Sequence, residues 1–369
     1  MSVPFGERGG ALRGFLDAVC GRLPRFVFGG RVAADVLPVF HFHDVTAADL
    51  DPKLRHLSEN GYHATTADEM SAFVRREIRF DGSRVALCFD DAWASLWTVG
   101  APLLKRYGLT AITYAIPARI DDAPRCRPTL DDVSEDMTDA VDGPPFVTWP
   151  ELRALQTSGI VDVQCHTESH SMVFSSPDVA GFLTPDYANI PMLNRPQLSP
   201  LPTLRFLEPD QLGAPLYEAR SRMSDGRRVA VPPDLQATCV EYVAREGGTA
   251  FFSQLDWKDR LQQLATRRAD AAVESEAEHD RAIDLELERG RAILNDRLRT
   301  TTVNHICLPW GVSCAYTATA LARLGYRSAV ANRMPGLLAV QPGDDPYWLK
   351  RLPNRYIFHL PGRGRRIWT

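Results

Sequence analysis

The sequence predicts an α/β fold, a distorted barrel of parallel strands, and three observations carry that prediction. Short apolar runs alternate with amphipathic segments from Asp35 to Ile116, which is the pattern of successive strand–helix units. The alternation resumes after a long break, at Val303–Leu308 and Tyr326–Ala331. The residues that could do chemistry, Asp90 with Asp91 and His166 with His170, stand where apolar runs end. That is the strand edge at which such folds place their sites.

The bulk numbers bound the answer. A chain of 369 residues, 44% of them hydrophobic, can bury a large core. A net charge of −4 argues against a nucleic-acid or anionic-membrane partner held by bulk charge. The seven cysteines are odd in number and scattered, without a CxxC pair, which suggests free thiols in a reducing compartment. Near the start, Ala11 to Phe28 is interrupted by Arg13, Asp17, Arg22, Pro24 and Arg25, so no secretory apolar core is expected. No apolar run is long enough to cross a bilayer. The expectation is a cytoplasmic protein with an N-terminal helical extension over 1–34. A catalytic domain over 35–369 follows, with insertions at about 117–147 and 171–300.

In chain order, Val36 to Asp44 reads as a strand that puts His41 and His43 on one face. Leu50, Leu54 and Leu57 mark a helix closed by Gly61. Tyr62–Thr65 reads as a short strand, and Thr66 with Glu69 forms a capping box for the next helix. Arg84–Phe89 is the central strand, and a helix is expected over Trp93–Tyr107, stopped by Gly108. Thr110–Ile116 is β-branched and reads as a strand. An Asp- and Pro-rich excursion follows to Pro145. Thr148 then caps a helix to Ser158, and Ile160–Cys165 is a strand running into His166. Residues 171–256 read as loop-like with short elements. Trp257–Arg299 reads as one long helix or two, with a solvated charged face. Tyr347–Leu352 is expected to be the last barrel element.

Side chains alternate on an extended chain, so Asp90 and Asp91 can do different jobs. His166 and His170 with Asp91 would make a three-ligand site with an open position, the arrangement of a catalytic zinc. HxxxH alone says little; its weight comes from the Phe89-Asp90-Asp91 strand end upstream. Cys88, Cys165 and Cys307 lie near strand ends and read as small core residues rather than extra soft ligands. Trp93, Trp97, Trp149 and Trp257 read as packing. Trp310 and Trp348 stand open between packing and a stacking platform for a sugar ring.

Several segments match one family in order: Phe89-Asp90-Asp91-Ala92, His166-Thr167-Glu168-Ser169-His170, Leu308-Pro309-Trp310-Gly311 and Asp345-Pro346-Tyr347-Trp348-Leu349-Lys350-Arg351. They resemble the polysaccharide deacetylases with a NodB-type domain, carbohydrate esterase family 4. Phe42-His43-Asp44-Val45 resembles the start of the subset that deacetylates poly-N-acetylglucosamine, in which the last catalytic motif lies at the N-terminus. The resemblance implies a distorted (β/α)7–8 barrel and hydrolysis of an N-acetyl or other N-acyl group on an amino sugar. It implies a divalent metal, zinc first, on Asp91, His166 and His170, with Asp90 as general base. The Trp310 backbone N–H would stabilise the oxyanion, and His43 would be the acid, with His41 its rival. Two departures stand out. The arginine that often tethers the base is replaced by Cys307 or a neighbour, which leaves Arg351 as the candidate tether. The usual late leucine-x-x-histidine motif is missing, and His359 reads as a solvated tail residue. The expected substrate is a cytoplasmic amino sugar or glycan precursor. The alternatives are a non-sugar amide at the same metal site, or a degenerate glycan-binding domain.

Overall fold

A computed structural model describes residues 23–132, 143–265, 272–331 and 338–367. Most of the expected N-terminal helix lies outside the described residues. Its end, Arg25–Phe28, is a 3-10 turn closed by Gly29 in the left-handed conformation. The chain divides into two compact units. Of the described residues, the larger takes in those up to Ser169, Leu287–Val312 and those from Ala318 on; the smaller takes in those of His170–Glu286 and Ser313–Thr317.

The larger unit begins with strand β1 (Val39–Phe42), helix α1 (Ala47–Glu59), β2 (His63–Ala64), α2 (Ala67–Val74) and β3 (Arg84–Asp91). It continues with α3 (Ala101–Tyr107), β4 (Ala111–Ala115), α4 (Trp149–Ser158) and β5 (Val161–Cys165). The helix starts follow their caps: Thr66 and Glu69 form the expected capping box on α2, and Thr148 with Glu151 forms one on α4. Between β3 and α3 the expected single helix gives way to a wide π-type turn, Leu96–Gly100. Pro102 has no N–H to donate to the Thr98 carbonyl one turn back, and that carbonyl accepts instead from Leu130 N at 2.7 Å.

The smaller unit pairs β6 (Met172–Phe182) and β9 (Pro215–Ser221) antiparallel, with register shifts, and joins β7 (Gln197–Ser199) to β8 (Arg205–Phe206). Two helices, α5 (Pro233–Arg245) and α6 (Trp257–Ala265), bury Leu235, Cys239, Val243 and Leu261 with Phe182 and Phe251. The loop-like reading of 171–256 therefore understated its structure. The charged stretch after it resolves into two helices, α6 and α7 (Glu276–Leu298), of which the second belongs to the larger unit from Leu287 on. The chain closes with β10 (His305–Cys307), α8 (Ala315–Arg323), β11 (Ser328–Val330) and β12 (Leu352–Pro353).

The main sheet runs β11-β10-β5-β4-β3-β1-β12, and β2 flanks β3. Every pair in it is parallel. β3, at its middle, is buried from Val85 to Asp91, as expected for a parallel strand covered on both faces. The sheet curls into a ring through one segment: Leu349 bridges Val330 of β11, while Leu352 pairs with Phe40 of β1. The last barrel element is thus shorter than expected as a regular strand, because its first residues serve the opposite edge. Val39, Ala86, Cys88, Ile112, Tyr114, Cys307, Val330 and Leu349 fill the interior. Cys88 and Cys307 are core residues here, as their apolar context suggested.

The excursion after β4 is anchored by an ion pair to a fully buried carboxylate. Arg127 donates from Nε at 2.8 Å and Nη2 at 2.6 Å to Glu151, whose residue is fully buried in α4. The same guanidinium holds the carbonyls of Pro144 and Phe146, each at 2.7 Å. Burial pushes the Glu151 carboxyl up, but Arg127 and the Thr148 amide outweigh it and hold it below its usual range. The pair therefore contributes stability above the ordinary glutamate pKa and loses it in acid. Arg127→Ala, which strands a buried carboxylate, is expected to cost about 3–5 kcal/mol in urea unfolding at neutral pH. Adding Glu151→Gln should recover part of that loss; a double variant as unstable as the single would contradict the electrostatic account.

Candidate active site

Strand register builds the site. Asp91 of β3 pairs with Ala115 of β4, and Ala115 pairs with Cys165 of β5. His166 follows, its N–H donating to the Ala115 carbonyl at 2.9 Å. One ligand atom from each of Asp91, His166 and His170 lies within 4.8 Å of the others, and all three residues are buried. The Asp91 Oδ1 to His166 Nε2 distance is 3.3 Å. His166 Nδ1 lies 2.6 Å from the Cys307 carbonyl. A carbonyl only accepts, so Nδ1 carries the proton and Nε2 is left with its lone pair on the Asp91 side. Trp93 Nε1 donates to Asp91 Oδ2 at 2.9 Å, fixing that carboxylate with Oδ1 turned to the histidine. One carboxylate and two imidazoles, so oriented, fit a divalent cation of the zinc type.

Asp90 takes other partners. Arg351 Nη1 donates to its Oδ1 at 2.6 Å, and both side chains are buried. Oδ2 lies 3.7 Å from His43 Nε2 and 3.9 Å from Cys307 Sγ. Burial pushes the Asp90 carboxyl up; the charge of Arg351, hydrogen-bonded to it, outweighs that and holds the group well below the carboxylate range. Arg351 therefore reaches the residue for which it was the candidate tether. Cys307 also falls within ligating distance of Asp90 and His166, so among the three strand-end cysteines it alone keeps the soft-ligand alternative geometrically open among the described residues.

The two rival histidines differ in setting. His43, just past the end of β1, has its side chain 55% exposed. His41 is half-buried, its ring 5.9 Å from that of His43 and edge-on to it. Burial, then the charge of Arg351, pulls the His41 pKa down to about 3. Trp310, half-buried in the Pro309–Gly311 turn, has φ 54 and ψ 9. Trp348 is half-buried. His359 is a correction: it is buried, with Nδ1 2.7 Å from the Val27 carbonyl, because the Asn354–His359 turn folds the tail back.

Trp93 packs as read, its ring 4.7 Å from that of Phe146, and its indole N–H also orients Asp91; that second role was missed, and its place two residues past the aspartate was the available signal. Backbone strain marks the same region. Among the described residues seven non-glycines have positive φ, and five of them are Asp91, Ala92, Thr167, His170 and Trp310. Such conformations persist only where the surroundings over-determine them, and they cluster at functional sites.

Residues 78–186, which contain both aspartates and both histidines, match the family model for polysaccharide deacetylase. That stretch, under a third of the chain, is where the sequence is similar to the polysaccharide deacetylases. Over 149 residues the chain is 26% identical to the poly-beta-1,6-N-acetyl-D-glucosamine N-deacetylase of Escherichia coli strain K12. That match takes in 40% of this chain and 21% of the relative, so the chain spans about a fifth of the length of the curated relatives it matches. The fold is similar to that of a de-N-acetylase from Aggregatibacter actinomycetemcomitans (TM-score 0.52, 15% identity, 87% of this chain and 96% of that one). It is likewise similar to that of the BpsB deacetylase domain from Bordetella bronchiseptica (TM-score 0.52, 17% identity, 86% and 96%). No described helix of the chain is long and apolar enough to cross a membrane.

Proposed function

We propose that this chain is a metal-dependent N-deacetylase that releases acetate from an N-acetylated amino sugar in a glycan or glycan precursor. The observation that carries the reading is the division of labour at the end of β3: Asp91 faces two histidines, while Asp90 faces Arg351 and His43. The named activity of the E. coli relative supports the substrate class.

Asp91, His166 and His170 would hold the cation, with zinc the first expectation from the donor set. When bound, it supplies Lewis-acid polarisation of the amide carbonyl. Asp90, kept ionised by Arg351, takes the proton of the attacking water. The Trp310 backbone N–H donates to the developing oxyanion. His43, exposed and beside Asp90, protonates the departing nitrogen. His41, shielded and with its pKa about 3, is neutral at working pH, which supports His43 over it as the acid. The products are acetate and a free amine. Trp310 and Trp348 are half-buried, which leaves part of each indole available to stack on a sugar. The free thiols Cys88, Cys165 and Cys307 support a reducing, cytoplasmic setting.

Acetate release from β-1,6-linked N-acetylglucosamine oligomers and a panel of acetamido sugars, with added zinc, tests the reading. Release that needs the metal and disappears on chelation is the expected result. An inert panel, or release by Asp90→Asn at the parent's rate, would sink it.

A further inference from the structure

Gly290 stands inside the 23-residue helix α7. Glycine is a poor helix former and alanine the best, so its place there calls for a reason. A Cβ at 290 would lie 2.8 Å from the Glu168 nitrogen, 2.8 Å from the Thr167 carbonyl carbon and 2.9 Å from Cys165 Sγ. Two of these atoms are backbone and cannot swing aside. The helix thus packs directly on the strand end and loop that carry His166. One residue earlier, Arg289 grips the same loop. Its Nε donates to Glu168 Oε2 at 2.6 Å and its Nη2 to Oε1 at 2.9 Å, a bidentate pair on a buried carboxylate. The Glu168 carbonyl in turn accepts from Ala118 N at 3.0 Å.

The helix is itself fixed to the barrel. The Tyr326 hydroxyl donates to the Leu287 carbonyl at 2.9 Å. Arg297 lies over the Trp149 ring, 4.6 Å from its centroid, and pairs with Asp122. The loop it supports contains Thr167 at φ 62 and leads to His170 at φ 53, conformations that a bare loop would not hold.

We propose that Arg289 and Gly290 are positioning residues, which hold the 165–168 segment so that His166 and His170 converge with Asp91 on one cation. The proposal rests on the metal site described above. Neither residue needs to touch the metal. Gly290 lets the helix backbone approach, and Arg289 locks the loop by its planar fork, which lysine cannot reproduce.

Zinc affinity, measured on the full chain by competition with a chelating dye, tests this, with far-UV circular dichroism of the zinc-free protein as the check on folding. Gly290→Ala and Arg289→Leu are each expected to weaken zinc binding by about 10- to 100-fold, the usual effect of losing an outer-shell support. Arg289→Lys should fall between parent and Arg289→Leu. Arg289→Leu leaves the glycine contact intact, so it decides the matter if Gly290→Ala does not fold. Folded variants with the parent's affinity would overturn the proposal. A parent that binds no divalent metal would overturn it together with the metal-site reading. A parent that binds zinc tightly, weakened in both variants, would uphold the proposal even if no acetamido sugar were hydrolysed.

Discussion

Asp90→Asn is expected to lower kcat for acetate release by about 10²- to 10⁴-fold, the span of a lost general base, with zinc content unchanged. The reason lies in the two separate partner sets at the end of β3. Asp91 is the aspartate that faces His166 and His170. Asp90 faces Arg351 and His43. An asparagine oxygen can still accept from Arg351, so the side chain should keep its place and lose only its capacity to take a proton. Metal analysis beside single-substrate kinetics checks this. A variant that lost its zinc would reverse the two roles, and a variant with full kcat would remove the base assignment.

Arg351→Met is expected to destabilise the protein by about 3–5 kcal/mol at neutral pH, because it leaves a buried carboxylate uncompensated. Its pH behaviour carries the sign. In the parent, Arg351 outweighs burial and keeps Asp90 ionised far into acid. The pair therefore contributes stability above the ordinary aspartate pKa, and that contribution is lost only as pH falls through the depressed folded value. In the variant, burial acts with less opposition and raises the carboxyl pKa. The stability deficit should then shrink as pH falls and the acid becomes neutral. The acid limb of kcat/KM should move to higher pH in the same variant. Urea unfolding across pH, with and without Asp90→Asn, measures the first effect. A deficit that stayed constant with pH, or that Asp90→Asn failed to relieve, would show that Arg351 acts through packing alone.

The barrel was legible because its signals are local. Apolar runs, the Thr66–Glu69 and Thr148–Glu151 boxes and the closing glycines Gly108 and Gly159 each state an element within a few residues. The clustering of Asp91, His166 and His170 was legible because these residues sit in compact motifs at strand ends. Contacts between distant segments were not. Arg127 and Glu151, Arg289 and Glu168, and Trp93 with Asp91 depend on which side chain faces which across the fold. No periodicity encodes that. The β6–β9 pair hid for a different reason: its register shifts twice, so the alternation that marks a strand is interrupted. The π-type turn before α3 follows from Pro102, a signal that lay inside the expected helix over Trp93–Tyr107 and went unused.

The segment from Leu349 to Pro353 touches both open edges of the sheet, and Arg351 lies within it. The segment that joins the two edges of the sheet therefore also brings the guanidinium to Asp90. Arg351 lies 261 residues beyond Asp90 along the chain, so at synthesis rates of about 5–20 residues per second the two are made tens of seconds apart. Throughout that interval Asp90 is without the guanidinium that in the folded chain holds its carboxyl below the usual range. Until that segment docks, Asp90 lacks the guanidinium on which its proposed role as base depends.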